Sequence, residues 1–75
     1  MTLDEMAAEV MQAWATEHRD LVKQWDRTAL LEQAMGVAEM AMDEAESAGI
    51  PEREALMQML GIYPSPPPPP ETDKD

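Results

Sequence analysis

One histidine, two serines and a scatter of carboxylates are the side chains from which this chain could build a catalytic site. His18 is the single histidine, so any Ser-His-Asp relay would pass through it, with Ser47 or Ser65 as nucleophile. Neither serine follows the strand-to-helix elbow that exposes such a nucleophile. A carboxylate-bridged metal site in a helical bundle pairs a glutamate with a histidine three residues later, but that position holds Ala15. The chain has no cysteine, which excludes disulfides, zinc–thiolate sites and a thiol nucleophile. Its three glycines stand singly, so no phosphate-cradling loop exists. The acids follow helical spacing rather than a calcium loop, and no Asp-Ser-Leu phosphopantetheine site is present. Carboxylates doing acid–base work need a cleft that tunes their pKa, and acids on an exposed helix face lack one. The expectation is a non-enzyme with no metal and no cofactor.

The same residues have a second use in binding. Trp14 and Trp25 lie eleven residues apart on one helical stripe, with His18 between them. Tryptophan at this spacing forms either a core or a partner contact, since its indole buries a large area and keeps one N–H donor. His18 is either bonded within the core or a dimer seam, or a pH-sensitive interface contact. The candidate apolar contact face is Val10, Trp14, His18, Leu21 and Trp25. A second candidate is acidic: Glu32, Glu39, Asp43 and Glu46, joined by Glu44, with no basic residue between Thr28 and Ile50. Like charges one turn apart repel. The face is therefore either simply solvated or a surface that docks on a basic patch, in imitation of nucleic-acid phosphates.

The elements that must position these residues read as helices. Thr2 and Glu5 form a capping box, and Asp4 and Glu5 suit the helix dipole. From Leu3 to Trp25, the residues Leu3, Ala7, Val10, Met11, Trp14, Ala15, Leu21, Val22 and Trp25 keep one helical phase. They predict an amphipathic helix of roughly 23 residues, about 34 Å long. Continuing it would turn Leu30 and Leu31 to the polar side, so a turn is expected at Asp26-Arg27-Thr28, with Asp26 or Thr28 as cap. The alternative is a kink in one long helix. A second helix is expected over 28–47, with Leu31, Ala34, Met35, Ala38, Ala41, Met42 and Ala45 in its stripe, flanked by Leu30 and Val37. Gly49 ends it. A short third helix opens at Pro51 and closes at Gly61.

The fold class expected is all-α: a hairpin of two long amphipathic helices plus a short C-terminal one, spanning 1–62. Residues 63–75, with five consecutive prolines from Pro66 to Pro70, are expected to form a disordered, proline-rich acidic tail. That tail serves as a stiff spacer or a P-x-x-P docking ligand. About 62 foldable residues make a marginal core, so a homodimer forming a four-helix bundle is the simplest way to cover two long apolar stripes.

Composition narrows the partners. The 75 residues carry a formal net charge of −11 and a pI near 4.2. Such a surface repels nucleic acid and anionic lipid and attracts basic proteins. No apolar run approaches the roughly 20 residues that span a bilayer, and the first residues lack the pattern of a signal peptide. These features place the chain in the cytoplasm, without a membrane or direct nucleic-acid partner. Eight methionines suit an adaptable surface. The expected function is a small acidic regulator or inhibitor that occludes a functional surface of a protein target. Phages and other mobile elements encode inhibitors of this general appearance. The alternatives are an assembly chaperone or scaffold for another helical protein, and an antitoxin-like or nucleic-acid-mimic binder of a basic protein.

Overall fold

The computed structural model describes residues 2–68. It contains four helices: α1 (Leu3–Glu17), α2 (Arg19–Gln24), α3 (Arg27–Ala48) and α4 (Glu52–Ile62). Among the described residues there is no strand. The chain is all-helical, as its periodicity predicts.

The first helix begins on the capping box. The Glu5 N–H donates to Thr2 Oγ1 at 3.2 Å, and the Thr2 N–H donates to Glu5 Oε1 at 3.0 Å. The expected 23-residue helix, however, is broken. His18 leaves the helical region (φ −134°, ψ 57°), ending α1 and opening α2. It carries no glycine or proline signal. The Thr16 hydroxyl donates back to the Gln12 carbonyl at 2.9 Å, a contact that bends helices. The His18 N–H still reaches the Trp14 carbonyl and its own carbonyl still serves Val22. The chain therefore changes direction with two of its backbone bonds intact.

The expected turn at 26–28 is present. Asp26 is extended and its carboxylate accepts from the Ala29 N–H at 3.3 Å. Gly49 takes the left-handed conformation (φ 70°), and the Ile50 N–H closes onto the Ala45 carbonyl. This is the six-to-one bond of a Schellman stop. Pro51 caps α4. Gly61 does not end α4, because its φ is not positive and the helix continues to Ile62.

α3 is the central element, packed on α1 and on α4. Its buried stripe is Leu30, Ala34, Val37, Ala38, Ala41 and Ala45. That stripe is shifted toward one edge of the expected one: Leu30 and Val37, expected at its flank, are buried, and Leu31 is exposed. Four alanines at i, i+4, i+7 and i+11 let a neighbouring backbone approach closely, and Ala7 on α1 and Ala55 on α4 are equally small and buried. Larger side chains, Met6, Val10, Trp14 and Leu56, fill the rest of the core. Arg53 and Glu9 tie α4 to α1 by an exposed ion pair at 3.7 Å, which is worth little.

Candidate protein-interaction surface

The tail departs from expectation first. Residues 63–68 do not stand clear of the helices. The Trp14 indole N–H donates to the Tyr63 carbonyl at 3.0 Å, and the Trp25 indole N–H donates to the Pro67 carbonyl at 2.8 Å. Pro66, between these two anchors, is fully buried. The physical reason is that an amphipathic tryptophan needs a partner for its N–H when its ring is covered. A proline segment has unpaired carbonyls and no N–H of its own to satisfy. The rest of the expected tail, 69–75, lies outside the described residues.

The predicted apolar contact face is divided by this arrangement. Val10 and Trp14 are fully buried within the chain's own core, so a partner reaches neither without opening the protein. Leu21 and Trp25 are half-buried on or beside α2, a helix with no fully buried residue. His18 is half-buried at the break, and its side chain makes no capping hydrogen bond to α2. The break therefore distributes the five residues between core and rim.

The acidic face is kept together. Glu32, Glu39, Asp43 and Glu46 are all exposed on α3. At 100° and 1.5 Å per residue, they fall within about 60° of one another and span about 21 Å of axis. Among the described residues, none of the four makes an ion pair.

A third surface had no sequence signal. The Tyr63 hydroxyl points at the Met40 sulfur, 4.0 Å away, and this pair separates two clefts. One, of about 380 Å³, is lined by Trp14, Glu32, Gly36, Val37 and Pro67 among others. The other, of about 290 Å³, is lined by Asp43, Glu44, Met59 and Ile62 among others. Met40 is 41% exposed, Tyr63 40% and Ile62 62%. These residues form an apolar ridge with carboxylates on both sides. Tyr63 was assigned to the tail, and Met40 lies outside the apolar stripe of α3, so periodicity could not pair them.

Among the described residues, no group of three or more His, Asp or Glu side chains is arranged to hold a metal ion. Among the described residues, no helix is long and apolar enough to cross a membrane. No protein-family model, curated protein or solved structure matches this chain.

Proposed function

We propose that this chain is a small acidic protein-binding regulator that occludes a functional surface of its target through the Met40–Ile62–Tyr63 ridge. The observation that carries this reading is the exposed Met40–Tyr63 contact between two clefts, with Glu32 at one rim and Asp43 and Glu44 at the other. Methionine and tyrosine supply apolar area that adapts to a partner. The carboxylates select a target whose apolar site is rimmed by lysine or arginine, and their field speeds the encounter. The stripe from Glu32 to Glu46 extends this negative surface along α3. With Val10 and Trp14 covered inside one chain, two copies need not pair through α1 to bury them.

The test is to isolate the partner by crosslinking and measure its affinity against salt. Met40→Ala with Ile62→Ala should weaken binding at least tenfold, and Glu39→Lys with Asp43→Lys should abolish it at low salt. Salt-tolerant binding that ignores the charge reversals but is lost with the apolar pair would favour the scaffold or chaperone reading. Binding indifferent to all four substitutions would remove the ridge as the contact.

A further inference from the structure

Two indole N–H groups, eleven residues apart in sequence, address carbonyls four residues apart in a proline-rich segment that bends at Ser65, and the proline between those carbonyls is buried. These are the requirements of proline-segment recognition: an aromatic-lined groove, indole donors to backbone carbonyls, and a pocket for one ring. We propose that Trp14 and Trp25 form a proline-reading site, held in cis by the chain's own Tyr63–Pro68, that accepts a proline-rich peptide of the same pattern in trans when this strap is released.

Four features bear on exchange rather than permanent closure. The strap is anchored by two side-chain-to-backbone bonds and one buried ring, while Tyr63, Pro64, Pro67 and Pro68 remain exposed. Its outer anchor, Trp25, follows α2, which buries no residue completely; Val22 and Trp25 rest against the edge of the core while only half-buried, so this end is the less firmly held of the two. Open space also lies beside the strap. The 380 Å³ cleft lies between Ser65 and Pro67 on one side and Gln33, Gly36 and Val37 on the other, and a Cβ added at Gly36 would meet nothing within 4 Å. The break at His18 contributes as well. In an unbroken helix the two tryptophans would be about 16 Å apart along the axis, more than the about 12 Å that four residues cover even as straight polyproline, and this segment bends at Ser65. Redirecting the chain at His18 gives Trp25 a position independent of that helical spacing.

A proline segment in cis has a high effective concentration, so it competes strongly with any peptide in trans. The contacts are neutral, so loading should be insensitive to salt, unlike binding through the acidic ridge. Tyr63 belongs to both surfaces, so release of the strap would also loosen the Met40–Tyr63 contact, and the salt response is what tells failure of one reading from failure of the other.

The experiment uses the full chain and a full-length variant carrying Pro66→Gly and Pro67→Gly, with helicity of both checked by circular dichroism. The probe is a synthetic peptide with the sequence of residues 63–70, followed by tryptophan emission and calorimetry. The released-strap variant should bind it saturably, at least tenfold more tightly than the unchanged chain. Adding Trp25→Phe to the variant should weaken that binding several-fold by removing one donor. An intact helical variant that shows no binding would overturn the proposal, and so would equal affinity of the two proteins. Doubling of mass on a sizing column that requires Pro66 and Pro67 would place the strap on a second copy and overturn the cis assignment.

Discussion

The indole of Trp14 and the carbonyl of Tyr63 are hydrogen-bonded at 3.0 Å across 49 residues of sequence. The ring is wholly buried and its N–H is satisfied by the segment that leaves α4. The largest core side chain therefore depends on the strap for its polar atom.

That dependence gives a pair of substitutions with separable outcomes. Trp14→Phe keeps most of the buried area and removes the donor, and should cost roughly 1 kcal/mol. Trp14→Ala also opens a cavity and should cost about 3–5 kcal/mol, enough to unfold a domain of this size. Urea midpoints of the two variants should differ accordingly, and equal midpoints would contradict the packing described.

Two glycines should respond with opposite signs. Gly36 lies inside α3 with open space where a Cβ would stand, so Gly36→Ala should stabilise by about 0.8–1 kcal/mol through helix propensity. Gly49 has φ 70°, and alanine there should destabilise by about 1 kcal/mol. Thermal melts of the single variants would decide, and a stabilising Gly49→Ala would contradict the helix stop.

The alanine row of α3 sets the distance to its neighbours. Ala38 is fully buried, so Ala38→Leu must push α1 or α4 away and should cost at least about 1–3 kcal/mol. Ala48→Leu, at an exposed position near the end of the same helix, should change stability little. Similar losses at both positions would mean that the row is not a packing face.

The unpaired acids of α3 should make stability rise with salt. Raising sodium chloride from about 0.01 M to 0.15 M shortens the screening length from about 30 Å to 8 Å and should raise the melting temperature. Glu39→Lys should reproduce part of this gain, at about 0.2–0.5 kcal/mol for each relieved repulsion, and should flatten the salt response. A melting temperature that falls with salt would contradict this account.

Much of the helical framework was legible because its signals are local. The Thr2–Glu5 box, the Asp26 cap and the Gly49 stop each depend on residues within one turn, and all three are present. The stripe of α3 was legible to within one residue, with Leu30 taking the buried place expected of Leu31. Met6 was missed because it lies at the edge of the α1 arc, where a flexible thioether still reaches the core. The break at His18 was illegible because its nearest visible cause, the Thr16 back-bond, has no distinctive residue pattern. The strap was illegible for a different reason. Proline has no period that marks a buried face, and its docking depends on two indoles whose neighbours are set only by tertiary structure. The acidic face was readable as a face, whereas the Met40–Tyr63 ridge joins residues from two elements and required the fold.

The strap's position in the chain also has a consequence for biosynthesis. At about 5–20 residues per second, Trp14 is made roughly 2–10 s before the Tyr63 carbonyl that completes it. All four helices precede the strap in the order of synthesis. Until that segment is made, the Trp14 indole N–H lacks the carbonyl that satisfies it in the finished fold.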